Sequence, residues 1–278
     1  MVLDHIDTPQ IVFIEGIHGA GKSTLAKKIA SEIKSDNPFA NIYLRSSTPN
    51  PIDFCRLTFF SPNEYDCFLS MLSKELNEPK NGIKFALIPF VSYEQGKFVV
   101  NWFDFISKYK ENCPCSISFA LSHEYCDGKA TASQYRSVLL SRWSNFARNI
   151  DQSGIYIFEG ALFQHPLAEL IGYYMEDECS IICLIAELVE CIKSIEKKLF
   201  YISVRDPYTV LSNAAENRKA DDNDWMQGFQ KMISTCNYGV KNGLSGLDGA
   251  IRYCQDRMKV EQRIMQELDM PIKIIERD

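Results

Sequence analysis

Eight consecutive residues, Gly16, Ile17, His18, Gly19, Ala20, Gly21, Lys22 and Ser23, read G-x-x-x-x-G-K-S. Those types at that spacing suit one task. Glycines let the backbone turn so that successive N–H groups converge on an anion, and the start of a helix adds a favourable dipole. The lysine would bridge β- and γ-phosphate oxygens, and the serine hydroxyl after it is a hard ligand for Mg²⁺. The expected ligands are therefore a nucleoside triphosphate and Mg²⁺, held by Gly16, His18, Gly19, Ala20, Gly21, Lys22, Ser23 and Thr24. His18 occupies a variable position of the motif and is given no catalytic role.

A loop of this kind works only between a strand and a helix. Ile11–Glu15 (IVFIE) is a short β-branched apolar run, as in a strand buried on both faces. From Lys22, KSTLAKKIASEIK places Leu25, Ile29 and Ile33 at helical spacing and closes at the Asp36-Asn37-Pro38 breaker. Asn41–Leu44 follows as a second strand. The alternation predicts an α/β fold, three layers around a parallel five-stranded sheet, with a helical and hairpin insertion.

The insertion is expected over 46–150 of a single domain spanning 1–278. Within it the sequence predicts a helix over Pro62–Leu76, a hairpin with arms Ile83–Val91 and Lys97–Trp102 around Glu94-Gln95-Gly96, and a helix over Ala132–Asn149. After Gly154 the alternation resumes with the strand Ile155–Glu159. Two runs compete for the next strand, and Leu199–Val204 is favoured over Ser180–Ala186 because Asp206 and Pro207 bound it. Helices over Tyr208–Arg218, Asp224–Cys236 and Leu247–Leu268 and a last strand over Ile272–Ile275 complete the reading.

Composition narrows the function classes. A net charge of −6 argues against a long nucleic-acid backbone as partner, and 12% aromatic residues exclude a disordered polymer. No window approaches a membrane span. The N-terminal residues lack the pattern of a signal peptide, so the ten cysteines are expected as reduced thiols in a cytoplasmic protein. Cys113, Cys115, His123 and Cys126 have ligand types suited to zinc at a non-standard spacing, and zinc binding there is left open. A regulatory GTPase is disfavoured, since there is no N-K-x-D and the only D-x-x-G, Asp151–Gly154, precedes a strand. No LSGGQ signature of a transporter ATPase occurs.

Four segments carry a family resemblance. IEGIHGAGKST, Ile14–Thr24, resembles the opening of thymidylate kinases and deoxynucleoside kinases, which place an acidic residue, here Glu15, just before the loop. IYIFEGALFQ resembles the deoxynucleoside kinase strand that ends Glu-Arg-Ser; Glu159 matches the Glu, and Gly160 stands where the Arg would be. YISVRDPYTVLSNAAENR resembles the strand, Asp-Pro and lid helix of nucleotide kinases, with Arg205 at the strand end, Arg218 further along and a lid over 205–222. Ile272–Ile275 looks like the last core strand of these enzymes.

The resemblance covers roughly half the chain and omits most of Ser46–Ile150, where such a family builds its acceptor pocket. It implies a P-loop NTPase fold and an ATP-dependent kinase moving the γ-phosphoryl group to a nucleoside or nucleoside monophosphate. The catalytic set would be Lys22, Glu15, Glu159, Arg205 and Arg218, with Ser23 and Glu159 on the metal. Arg45 and Arg56 flank the region where thymidylate kinases contact an acceptor phosphate. The expected partners are a nucleotide and a small-molecule acceptor, with a homodimer allowed. Two alternatives stay open: a kinase of a non-nucleotide metabolite or antibiotic, and a nucleotide-dependent ATPase or switch that binds a protein partner.

Overall fold

The computed structural model describes residues 10–34, 40–44, 50–107, 113–219 and 225–277. It divides into two compact units, one formed by 1–47 with 140–278, the other by 48–139. In chain order the first unit opens with β1 (Ile11–Gly16), α1 (Lys22–Lys34) and β2 (Ala40–Tyr43). The second unit holds β3 (Thr58–Phe60), α2 (Pro62–Leu76), α3 (Lys80–Leu87), β4 (Val91–Glu94), β5 (Lys97–Val100), α4 (Trp102–Ser107) and α5 (Pro114–Ser122). Helix α6 (Ala132–Asn149) runs across the boundary. The first unit continues with β6 (Ile155–Glu159), α7 (Gln164–Leu167), a π-helical turn at Ala168–Tyr173, α8 (Glu178–Cys191), β7 (Lys197–Val204) and α9 (Pro207–Lys219). It closes with α10 (Trp225–Thr235), α11 (Asn237–Asn242), α12 (Gly246–Glu267) and β8 (Ile272–Arg277).

The first unit is α/β. Its five strands run parallel in the order β2-β6-β1-β7-β8. Ile11, Val12, Phe13 and Ile14 of the central strand β1 have no exposed surface. Burial of this kind contributes about 1.5–3 kcal/mol per large side chain, which is why a continuous apolar run rather than an alternating one marks this strand. Trp143 of α6 stacks on Phe13 with centroids 5.5 Å apart. The chain leaves β1 for β2 on one side, beyond β6, and leaves β6 for β7 on the other. The carboxyl ends of β1, β6 and β7 therefore flank a switch point, the place where open α/β sheets hold ligands.

Helix ends follow their residues. Asp206 caps α9, accepting from the Tyr208 N–H at 3.0 Å and from the Thr209 hydroxyl, while Pro207 fits the first helical position. Along α12 the buried positions Ala250, Tyr253, Cys254, Arg257, Glu261 and Ile264 recur every three or four residues and form one stripe. Among the described residues, no helix is long and apolar enough to cross a membrane.

The second unit packs α2, α3, α4 and α5 with the antiparallel sheet β3-β5-β4 around Phe60, Phe68, Leu72, Ile83, Leu87 and Phe105. A capping box starts α2: the Ser61 N–H donates to Glu64 Oε2 at 2.6 Å, and Glu64 N–H donates to Ser61 Oγ at 3.4 Å. Gln95 and Gly96, both at positive φ, make the hairpin turn between β4 and β5.

The expected first hairpin arm is corrected here. Only Val91–Glu94 is strand, whereas Ile83–Leu87 lies in α3 and Ile88–Phe90 forms a 3₁₀ turn. Ile83 and Leu87, four residues apart and both buried, meet the core from one helical face beside α2. That spacing outweighs the apolar run. The second arm likewise ends at Val100, because Trp102 begins α4. Lys197–Val204 is strand and Glu178–Cys191 helix, so the choice between the two competing runs agrees with the structure, with β7 starting two residues before Leu199.

Candidate functional site

The loop between β1 and α1 is shaped by three glycines at positive φ: Gly16 at 135°, Gly19 at 78° and Gly21 at 94°. Side chains are strained there and also lack room. A Cβ on Gly16 would lie 2.7 Å from Ile202 O of β7, and one on Gly19 would lie 2.8 Å from Ala214 Cβ and 3.0 Å from Val210 O of α9. At Gly21 the space is taken by the Arg277 guanidinium. Neighbouring elements thus fix the loop from outside, leaving α1 to begin at Lys22 with its first-turn N–H groups beyond the reach of intrahelical acceptors.

Lys22 is buried, and its Nζ donates to Gly16 O at 2.9 Å and Ile17 O at 2.7 Å. The ammonium is folded back across the loop. Parallel pairing of β1 with β6 sets Ile14 opposite Glu159, which brings the buried Glu159 carboxylate to the first turn of α1. Ser23 Oγ donates to Glu159 Oε1 at 2.7 Å. Two hard oxygen donors from separate elements meet at the helix start, a donor set that fits Mg²⁺ when phosphate oxygens and water complete the octahedron.

Glu15 has no exposed surface. Its Oε1 accepts from the Leu162 N–H at 2.7 Å and its Oε2 from the Gln164 N–H at 3.1 Å. It ties the loop after β6 to the end of β1. Burial pushes the Glu15 carboxyl up to about 7, the N–H donors from the β6–α7 loop pull it back, Glu261 raises it further and Lys22 lowers it.

Sequence reasoning missed the group beneath the loop. Arg257 and Glu261 of α12 are fully buried, with Arg257 Nε 2.9 Å from Glu261 Oε1. Arg257 Nη2 also donates to Gly16 O at 3.0 Å, and the Tyr201 hydroxyl donates to Glu261 Oε2 at 2.7 Å. The signal was present: an Arg and a Glu occupy consecutive turns of a stripe otherwise set by Ala250, Tyr253, Cys254 and Ile264. Charges on the apolar face of a long helix must pair inside. Arg277 was missed too; its Nη1 donates to Ala20 O at 2.6 Å.

The remaining candidates are distributed as follows. His18 is buried against the rings of Phe229 and Trp225, with centroids 4.2 and 5.9 Å away, so it anchors the loop to α10. Thr24 is exposed on α1. Arg205 is exposed, and its Nη2 pairs with Glu276 Oε2 at 2.8 Å. Arg218 belongs to α9, but its side chain, like Arg45 and residues 220–222 of the expected lid, lies outside the described residues. Arg56 sits at positive φ in the second unit with its guanidinium 4.1 Å from the Phe103 ring centre. Cys113 is buried and Cys115 exposed, while His123 Nδ1 lies 2.7 Å from Phe119 O. Among the described residues, these two, His123 and Cys126 do not gather their ligand atoms into one cluster.

The arrangement offers the N–H groups of a helix's first turn, one buried ammonium, and a hydroxyl–carboxylate pair on the next residue. Such a site can bind and neutralise a polyanion and a divalent cation together. No protein-family model matches the chain, and no curated protein is significantly similar to it.

Proposed function

We propose that this chain is an ATP-dependent small-molecule kinase of the P-loop NTPase fold, acting with Mg²⁺. What supports the reading above all is the meeting of Ser23 and Glu159 at 2.7 Å beside Lys22, at the carboxyl end of a parallel sheet. A chance glycine-rich turn gives no reason for a neighbouring strand to deliver a carboxylate to that serine. Ser23 and Glu159 would hold the cation, which would neutralise charge on the β- and γ-phosphates. Lys22 would exchange the Gly16 and Ile17 carbonyls for phosphate oxygens. The loop N–H groups would fix the donor in line with an acceptor.

Phosphoryl transfer of this kind runs through a loose transition state, so positioning and charge stabilisation supply most of the catalysis. A strong base on the acceptor is then dispensable. Glu15, engaged with Leu162 and Gln164, accordingly serves as a positioning residue of the β6–α7 loop rather than as an acceptor base. Arg205 and Arg218 are the proposed lid cations. Leaving Glu276 would cost Arg205 less than about 1 kcal/mol, the worth of an exposed pair.

The acceptor class proposed is a nucleoside or nucleoside monophosphate, on the strength of the β1, β6 and β7 segments and their resemblance to such kinases. The test is ATP consumption by the purified protein with and without a panel of nucleosides, nucleoside monophosphates and sugars. Acceptor-dependent turnover on a nucleoside or its monophosphate supports the reading. Turnover only on a non-nucleotide acceptor, or slow hydrolysis indifferent to the panel, overturns the acceptor assignment.

A further inference from the structure

Arg277 closes β8, where its backbone lies opposite Val204 of β7. Its Nη1 donates to Ala20 O at 2.6 Å and fills the space that a side chain at Gly21 would occupy. The acceptor carbonyl shares its peptide unit with the Gly21 N–H. In a trans peptide the C=O and N–H point in opposite directions. Holding Ala20 O on the β8 side therefore aims the Gly21 N–H the other way, and a charged donor on the carbonyl polarises that N–H into a stronger donor.

We propose that Arg277 is a positioning residue of the glycine-rich loop, which orients and polarises the Gly21 N–H towards a bound nucleotide phosphate. The inference rests on the nucleotide-binding reading above for its ligand. Gly21 is held at a φ of 94°, which side chains rarely adopt, and the Arg277 guanidinium fills the space where its Cβ would stand. The bond to Ala20 O also gives the last strand of the sheet a direct hold on the loop after the first, across β7. Arg257 performs the matching task inside the molecule, where it shares Gly16 O with Lys22. Arg277 lies at the rim, so its replacement leaves the core untouched.

The test compares the affinity of wild type, Arg277→Ala, Arg277→Lys and Lys22→Ala for Mg·ATP by calorimetry at one ionic strength. Lys259→Ala, which removes an equal charge from an exposed site on α12, serves as control. A second readout, the Gly21 amide resonance in the ligand-free protein, needs no nucleotide. Arg277→Ala should weaken Mg·ATP binding about tenfold, with Arg277→Lys recovering part of the loss and Lys259→Ala unchanged. The Gly21 amide proton should move upfield in Arg277→Ala, as a less polarised N–H does. Arg277→Ala binding within about twofold of wild type while Lys22→Ala is weakened would overturn the role of Arg277 and leave the nucleotide reading standing. An unshifted Gly21 amide overturns it independently of any ligand. Lys22→Ala binding as tightly as wild type overturns both.

Discussion

The Ser23 hydroxyl donates to the Glu159 carboxylate at 2.7 Å, so a hydrogen bond joins the first turn of α1 to the end of β6. This bond joins residues far apart in sequence through the β1–β6 register alone. If the pair holds a divalent cation, its loss should be visible only when that cation is present. Ser23→Ala and Glu159→Gln should each weaken ATP affinity at least about tenfold in Mg²⁺ and by much less in excess chelator. Calorimetry under the two conditions checks this, and equal losses in both would assign the pair a purely structural role.

The loop glycines make a steric prediction. Gly19→Ala meets Ala214 and Val210 of α9 at a φ of 78°, and should cost about 1–3 kcal/mol in stability. Gly82→Ala, in α3 with nothing within 4 Å of its Cβ, should stabilise by about 0.5–1 kcal/mol. Urea denaturation of the two variants provides the comparison; a neutral Gly19→Ala would mean that α9 does not confine the loop.

Glu15 predicts a pH dependence with a definite sign. Its folded carboxyl titrates near 7, above its ordinary value of 4.5, so between those limits the folded state binds more proton than the unfolded state. Stability contributed by the protonated form is complete below about pH 4.5 and is lost as pH rises towards 7. Relative to Glu15→Gln, whose side chain does not titrate, wild type should lose on the order of 3 kcal/mol across that window. Parallel stability profiles for the two proteins would contradict the buried, ionisable role.

Arg257 and Glu261 are both wholly buried, and removing one leaves the other charge uncompensated. Arg257→Ala should destabilise by about 3–5 kcal/mol, and the double variant Arg257→Met with Glu261→Met by clearly less than the sum of the single changes. A double-mutant cycle measures the difference. Additive effects would show that the two groups act separately.

Much of the first unit was legible in the sequence because its strands are buried on both faces and read as unbroken apolar runs: Ile11–Glu15, Ile155–Glu159 and Leu199–Val204. The loop residues and Glu159 were legible for the same reason, since a strand end before a glycine turn fixes where a side chain emerges. The β4 arm was less so. Ile83–Phe90 has the apolar density of a strand, yet a four-residue spacing and packing beside α2 make it helical. What Glu15 touches was not legible, because its partners are backbone N–H groups more than a hundred residues away. Arg277 was hidden likewise: only the placement of β8 beside β7, two strands from β1, carries it to Ala20.

The central claim is that the loop from Gly16 to Ser23 binds a nucleotide phosphate through Lys22. Its most direct test is the binding of Mg·ATP to wild type and to Lys22→Ala, with thermal melts to show that both are folded. Saturable one-to-one binding by wild type and a loss of about a hundredfold or more in Lys22→Ala is the predicted result. No binding by folded wild type, or equal affinity in the two proteins, would contradict it.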